Sequence, residues 1–155
     1  MPAPFAPDSP RLPIALLLLR LGIFLVMFMW TIDKFLHADH AAKVYEKYYF
    51  LGGLGGTVMF VLGALEILLL LGFVAGAFKR LTYGLVGLLH AVSTLSAWKI
   101  YLTPAEPYHL LFFAAWPMLT ACIALYLLRE HDTLFSIAAG HRGHTASHPP
   151  AHAAP

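Results

Sequence analysis

Four long apolar segments, separated by short polar stretches, dominate the pattern of hydrophobic and polar positions along the chain. They run from about residue 13 to 36, 56 to 78, 81 to 101 and 108 to 128. A helix of about 20 mostly apolar residues crosses a hydrocarbon core of about 30 Å. Because backbone polar groups in lipid must be satisfied within the segment, the pattern predicts four membrane-spanning α-helices.

The stretch between the first two apolar segments has a different, amphipathic pattern. Apolar and tyrosine residues recur there at helical spacing, at Ala41, Val44, Tyr45, Tyr48 and Leu51, while charged residues occupy the positions between them. This spacing predicts a helix that lies at the membrane surface. The predicted fold is therefore an all-α membrane protein, an antiparallel bundle of four transmembrane helices with a short amphipathic interfacial helix between helices 1 and 2.

The two ends of the chain differ from the apolar region between them. Residues 1–12 are rich in proline and are predicted to be a disordered lead, and residues 13–135 form the predicted transmembrane domain. Residues 136–155 are small and polar, which predicts a second disordered segment. This tail has spaced histidines that make metal binding a weaker alternative: His141, His144, His148 and His152.

Composition supports a membrane protein and excludes several other classes. Hydrophobic residues make up 59% of the chain and charged residues only 12%, too few to cover a water-facing surface. The net charge of +2 and the lack of any basic run argue against a nucleic-acid partner. Cys122 is the only cysteine, which excludes a C-x-x-C redox site and leaves a small buried residue as its simplest role.

Basic residues indicate an orientation for the predicted spans. With four spans, both termini share a side with the Lys79-Arg80 turn, and that side collects Arg11, Lys79, Arg80, Arg129 and Arg142. The opposite side collects Lys34, Lys43, Lys47 and Lys99. The positive-inside rule then places both termini in the cytoplasm.

Four ionisable residues stand out within the predicted spans, Arg20, Glu66, His90 and, near the outer face, His109. Such groups are costly in a bilayer and indicate function. The helical rise places Arg20 about 10 Å, His90 about 13 Å and Glu66 about 18 Å from the cytoplasmic ends of their helices. A bundle can bring these depths together in one layer. Such a layer can act as a structural clasp, as a site that binds a quinone head group or relays protons, or, least favoured, as a metal or haem site.

A second polar group is expected at the opposite, outer interface. It consists of Asp33, Lys34, Lys99, Glu106 and His109, which lie at or near the ends of three predicted spans. Their mixed charges predict a surface ion network. Pro117, in the middle of the fourth segment, predicts a kinked helix.

Parts of the first two spans resemble a known family. The stretch from Leu19-Arg20-Leu21-Gly22 to Asp33-Lys34-Phe35 resembles the first helix of DoxX-like membrane proteins. The stretch 62–68, which contains Glu66, is similar to that family's second helix, and the Leu71-Gly72 pair and the basic Lys79-Arg80 turn that follow it are similar to the rest of that helix and its loop. The resemblance covers roughly residues 15–128.

The resemblance implies a four-helix protein of a bacterial cytoplasmic membrane, with Arg20, Lys34 and Glu66 at family positions. Some DoxX-like proteins are small subunits of quinone-linked oxidoreductases. The leading hypothesis is therefore an accessory or membrane-anchor subunit that is not catalytic alone, with a redox partner protein or a homo-oligomer, quinone as the candidate cofactor and no covalent cofactor. A proton-coupled small transporter and a membrane scaffold or assembly factor remain as alternatives.

Overall fold

The computed structural model describes residues 11–137, and that part of the chain is helical, with no strand. Its elements, in chain order, are α1 (Arg11–Leu36), α2 (Ala38–Tyr49), α3 (Gly56–Val74), α4 (Lys79–Ser96), α5 (Trp98–Tyr101), a 3₁₀ helix (His109–Ala114) and α6 (Ala115–Leu127). The helical prediction for all four apolar segments is confirmed, and so is a separate helix between the first two.

The four long helices contact one another in a ring: α1 packs on α3, α3 on α4, α4 on α6, and α6 on α1. One end of this ring carries the α3–α4 turn (75–78) and the segment 128–137, and we call it the hairpin end. The other end carries α2 and the segment 97–114, and we call it the loop end.

Three helices are long and apolar enough to cross a membrane: Arg11–Leu36, Gly56–Val74 and the continuous stretch His109–Leu127. Helix α4 is not among them. It is 18 residues long, and its first two residues are Lys79 and Arg80, which lower its mean hydropathy. Three helices of this kind indicate a membrane protein.

The interior is built on one stripe of α1. Leu16, Arg20, Ile23, Thr31 and Lys34 are the buried residues of this helix, at intervals of three and four residues or their sums, so they share one face. The apolar members pack with residues of α3, α4 and α6 into one core. Both cations of the stripe therefore lie on the inward face of α1, and each requires a partner inside the protein.

Close approach of α1 and α3 depends on the absence of a side chain at Gly63. A methyl group at this position would lie 2.7 Å from the ring of Phe35. The small residue lets the end of α1 lie against the middle of α3, which brings residues 31–35 beside Glu66.

The hairpin end is covered by the chain itself. After α6, the segment 128–137 returns to the α3–α4 turn, where the amide of Ile137 donates to the Ala75 carbonyl at 3.0 Å and Ser136 Oγ donates to the Gly76 carbonyl at 3.2 Å. The first two residues of the predicted tail are therefore hydrogen-bonded to the helical domain. The rest of that tail, and residues 1–10 of the predicted lead, lie outside the described residues.

Candidate functional site

The predicted layer of Arg20, Glu66 and His90 is not formed. Within residues 11–137 no hydrogen bond or ion pair joins any two of these side chains, and each has its own partners. The helical rise gives only the depth of each residue along its helix. Contact also depends on the direction in which each side chain leaves the helix, and depth carries no information on that.

Glu66 instead pairs with Lys34, a residue predicted to lie at the outer surface. Lys34 Nζ lies 2.8 Å from Glu66 Oε2, and their side chains keep only 8% and 18% of their surface exposed. Thr31 Oγ1 lies 3.0 Å from the same carboxylate oxygen and 2.7 Å from the Met27 carbonyl oxygen. These two acceptors share the single hydroxyl proton of Thr31. We call Thr31, Lys34 and Glu66 the loop-end site.

Helix α2 packs over the loop-end site. Lys34 Nζ lies 5.8 Å from the centre of the Tyr45 ring, within the range of a cation–π contact. Burial raises the pKa of Tyr45 to about 12, and the negative charge of Glu66 adds to the rise. The phenol is therefore neutral at physiological pH and presents an uncharged ring to the ion pair.

The second oxygen of Glu66 has a different environment from the first. Oε1 forms no hydrogen bond within residues 11–137, and it is not among the fully buried unpartnered atoms of that part of the chain. The exposed fraction of the Glu66 side chain therefore includes an oxygen that can accept a further hydrogen bond. One carboxylate oxygen is held by the protein, and the other is open to a ligand or a proton.

Arg20 pairs with Asp132, which is not among the site residues predicted from the sequence. Arg20 Nη1 lies 3.2 Å from Asp132 Oδ2, and both side chains have no exposed surface. The Tyr83 hydroxyl donates to the same carboxylate oxygen at 2.6 Å and accepts from Arg20 Nη1 at 3.3 Å. We call Arg20, Tyr83 and Asp132 the hairpin-end cluster.

The hairpin-end cluster also holds the segment that follows α6. Arg20 Nη2 donates to the carbonyls of Leu134 at 2.6 Å and Phe135 at 3.2 Å, and Lys79 Nζ donates to the Asp132 carbonyl. Arg20 Nε and Asp132 Oδ1 are buried without a hydrogen-bond partner. A charge pair with this many backbone contacts ties α1, α4 and the segment 128–137 together.

His90 belongs to neither site. Its Nε2 donates to the Ala115 carbonyl at 3.0 Å, at the start of α6, and the Thr94 hydroxyl lies 3.4 Å from the same nitrogen. The residue is 9% exposed. This bond joins α4 to α6 where the 3₁₀ helix becomes α6, so the contacts of His90 connect helices.

The predicted outer network of five residues is likewise not formed among the described residues. Asp33 accepts from Nδ1 of His37 at 3.1 Å and of His40 at 2.6 Å, while Lys34 points inward to Glu66. The other three residues of the predicted network make different contacts. Lys99 lies over the rings of Phe50 and Trp98. His109 forms a side-chain hydrogen bond to Thr103, and its backbone amide donates to the Glu106 carbonyl.

Candidate metal ligands give no site in the described part of the chain. No group of three or more histidine, cysteine or acidic residues within 11–137 is arranged to hold a metal ion. The tail histidines, His141, His144, His148 and His152, lie outside the described residues. Cys122 is buried in the core beside Gly87, in keeping with a packing role.

Sequence reasoning missed Thr31, Tyr45, Tyr83 and Asp132. A signal existed for the loop-end site: Lys34 follows Arg20 by 14 residues, which is close to four helical turns and places both on one face of α1. No comparable signal pointed to Asp132, because it follows α6 in a segment without regular periodicity and contacts a residue 112 positions earlier.

Comparisons with protein-family profiles, curated proteins and solved structures found no match to the chain. The described residues define an all-helical membrane protein with two buried charge sites at opposite ends of its helices.

Proposed function

We propose that this protein is an accessory subunit that anchors a quinone-linked oxidoreductase in a bacterial cytoplasmic membrane, with the loop-end site facing the quinone. The observation that carries the proposal is the open oxygen of Glu66. A carboxylate whose other oxygen is held by Lys34 and Thr31 is a fixed hydrogen-bond acceptor for a quinone head group.

The proposed membrane arrangement is an antiparallel bundle of four spans. Helix α4 is continued by α5 after a break at Ala97, and the two cover residues 79–101, about 34 Å at the helical rise. That length suffices for a span whose charged residues, Lys79 and Arg80, lie at the hairpin end. Arg11 and Arg129 lie at the same end, which favours a cytoplasmic hairpin end.

The chemistry of the loop-end site suits both redox forms of a quinone. The carbonyl oxygen of a quinone accepts hydrogen bonds, for which the Lys34 ammonium has donors beyond the one given to Glu66. The hydroxyl of the reduced form donates, for which Glu66 Oε1 is the acceptor. Reduction of the quinone to the quinol takes two electrons from a partner subunit and two protons. The proton at the quinone oxygen beside Glu66 passes through the carboxylate, and the proton at the other quinone oxygen is exchanged with water.

Photo-crosslinking with a quinone analogue tests this proposal. Wild-type protein, purified in mild detergent, is irradiated with an azido-quinone and digested, and labelled peptides are identified by mass spectrometry. We expect labelling of the peptides that carry Thr31 and Glu66, competition by excess natural quinone, and at least a fivefold loss of labelling in Glu66→Gln.

Two variants keep the outcome interpretable. Glu106→Gln removes an exposed carboxylate outside the site and should retain full labelling. Lys34→Met combined with Glu66→Gln removes both charges, so it avoids an unpaired buried cation if Glu66→Gln alone fails to fold. Equal labelling in the wild type and in a folded variant without the Glu66 charge would show that the site does not bind quinone.

A scaffold without redox role is the second candidate, and the hairpin-end cluster favours it. The charged side chains of the hairpin-end cluster hold helices and the segment 128–137 in place, as expected of a structural element. Recovery of an assembled partner complex with full activity from Glu66→Gln would favour the scaffold. The proton-transporter alternative relied on a Glu66–His90 pair, and the described residues contain no such contact.

A further inference from the structure

A surface hollow of about 360 Å³ lies between α2 and the return segment 50–55. Its lining carries charges of both signs, contributed by Asp39, Lys43 and Glu46 of α2. The remaining lining residues are Ala42, Gly53 and Leu54. Because neither Lys34 nor Glu66 lines the hollow, a ligand bound there is independent of the quinone proposal.

The three charged side chains of the hollow are not paired with one another. Lys43 follows Asp39 by four residues and precedes Glu46 by three, the spacings at which opposite charges on a helix usually meet. None of the three forms an ion pair or hydrogen bond within residues 11–137. Two carboxylates and one ammonium therefore stay available around one concave surface.

The position of α2 points to the membrane surface as the source of a ligand. This helix connects α1 and α3, both long and apolar enough to cross a membrane, and Gly56 at the start of α3 lies beside Ala38 at the start of α2. A connection between two antiparallel spans lies at the level of the lipid headgroups. Tyr45 and Tyr48 of the same helix are residue types enriched at that level.

We propose that this hollow binds the headgroup of a phospholipid that carries a primary ammonium, such as phosphatidylethanolamine. The phosphate accepts a charge-assisted hydrogen bond from Lys43, and the ammonium donates to Asp39 and Glu46. A primary ammonium has three N–H donors, enough for both carboxylates. A quaternary ammonium has no N–H donor for the carboxylates. A headgroup without a positive charge would place the anionic phosphate beside two carboxylates with no ammonium to pair with them.

Native mass spectrometry of the full chain in detergent tests the selectivity. The protein is mixed with phosphatidylethanolamine, phosphatidylcholine or phosphatidylglycerol of identical acyl chains. We expect at least fivefold tighter binding of phosphatidylethanolamine than of either other lipid. Equal or tighter binding of phosphatidylcholine or phosphatidylglycerol would overturn the proposal, because neither headgroup offers an ammonium N–H to the carboxylates.

Variants assign the selectivity to the hollow. Asp39→Asn with Glu46→Gln should abolish the preference for phosphatidylethanolamine, and Lys43→Ala should weaken binding of that lipid at least fivefold. Lys47→Ala is the matched control, since Lys47 lies over the Tyr48 ring and does not line the hollow. An unchanged preference in the double variant would place the lipid elsewhere on the protein.

A soluble competitor distinguishes the lipid from its free headgroup. Phosphoethanolamine carries the same ammonium and phosphate without acyl chains. We expect it to displace the lipid only at concentrations at least a hundredfold higher, because it lacks the acyl chains, whose burial against apolar surface adds to binding of the lipid. Displacement at equal concentration would mean that the site takes a soluble ligand, and the assignment to a lipid would be wrong.

Discussion

At the scale of single residues, the most unusual feature is a pair of opposite charges without any exposed surface. Arg20 and Asp132 lie 3.2 Å apart and each is 0% exposed. Removing an ion from water costs several kcal/mol, and only a close partner and further hydrogen bonds offset that cost. Arg20 obtains both from Asp132, Tyr83 and two backbone carbonyls, so its stability in the interior depends on all of them.

Replacing one member of this pair should therefore destabilise the protein strongly. We expect Asp132→Ala to lower the free energy of unfolding by about 3–5 kcal/mol, the usual cost of leaving a buried charge unpaired. Chemical unfolding in detergent, followed by circular dichroism, measures this change. Glu106→Gln, at an exposed carboxylate, should shift the unfolding free energy by less than about 0.5 kcal/mol.

A double variant separates lost charge pairing from lost packing. Arg20→Met with Asp132→Leu replaces the pair by apolar side chains, and such replacements of buried pairs are often neutral or stabilising. Recovery of most of the stability lost in Asp132→Ala would confirm that the unpaired charge causes the loss. If Asp132→Ala unfolds like Glu106→Gln, the pair does not contribute to stability as proposed.

The sequence predicted the buried charges only in part. The apolar context of Arg20, Glu66 and His90 identified them as ionisable residues within apolar helices. Arg20 and His90 are buried, whereas Glu66 keeps 18% of its side-chain surface exposed. Their partners depend on helix rotation and on the path of the chain after α6. Lys34 shows the difference: its place near the end of a span suggested the surface, whereas the inward face that it shares with Arg20 determines its contact with Glu66.

At the scale of elements, the α3–α4 turn determines how the hairpin end is closed. Gly76 adopts a φ of +62°, which favours glycine, and a methyl group there would lie 2.6 Å from Arg20 Nη1 and 2.7 Å from Ser136 Oγ. The turn thus combines a left-handed backbone with a close approach of both α1 and the segment 128–137.

Gly76→Ala should loosen this closure. The left-handed backbone costs about 1–2 kcal/mol for a residue with a side chain, and the new methyl group displaces Ser136. We expect the amide of Ile137, which donates to Ala75, to lose hydrogen-exchange protection at least tenfold. Exchange followed by mass spectrometry measures this directly.

Gly22→Ala is the matched control for that measurement. Gly22 lies inside α1, and a methyl group there would meet no atom within 4 Å. Alanine also favours a helix over glycine, so protection at Ile137 should be unchanged or higher. Equal protection in Gly76→Ala and Gly22→Ala would show that the turn does not control the position of the segment 128–137.

Element boundaries followed from the sequence where periodicity and apolarity agree, as in α1 and α2. The predicted boundaries are wrong where the backbone departs locally from a regular α-helix. The sequence predicts a kink at Pro117 in the middle of the fourth span, but this proline is the third residue of α6, within the first turn, where its missing N–H is tolerated. The residues before it form a 3₁₀ helix instead of a continuous α-helix.

At the scale of the whole molecule, the number of membrane crossings depends on α4. Helices α1 and α3 and the stretch His109–Leu127 are each long and apolar enough to cross, but three crossings alone would leave α4 on one side of the membrane. The contacts of α4 argue against that arrangement, because it packs along both α3 and α6. A helix packed between two spans lies at the same depth as they do, so we expect four crossings.

Labelling of single cysteines from each side of the membrane tests this topology. In a Cys122→Ser background, cysteines replace Lys43 in α2, Phe78 in the α3–α4 turn, and Glu106 after α5. If α4 crosses, a membrane-impermeant maleimide applied to intact cells labels Lys43→Cys and Glu106→Cys, and labels Phe78→Cys only after permeabilisation. The same accessibility at Phe78→Cys and Glu106→Cys would show that α4 does not cross. The reverse pattern, with only Phe78→Cys labelled from outside, would keep four crossings but place the hairpin end outside the cell, against the orientation that Lys79 and Arg80 predict.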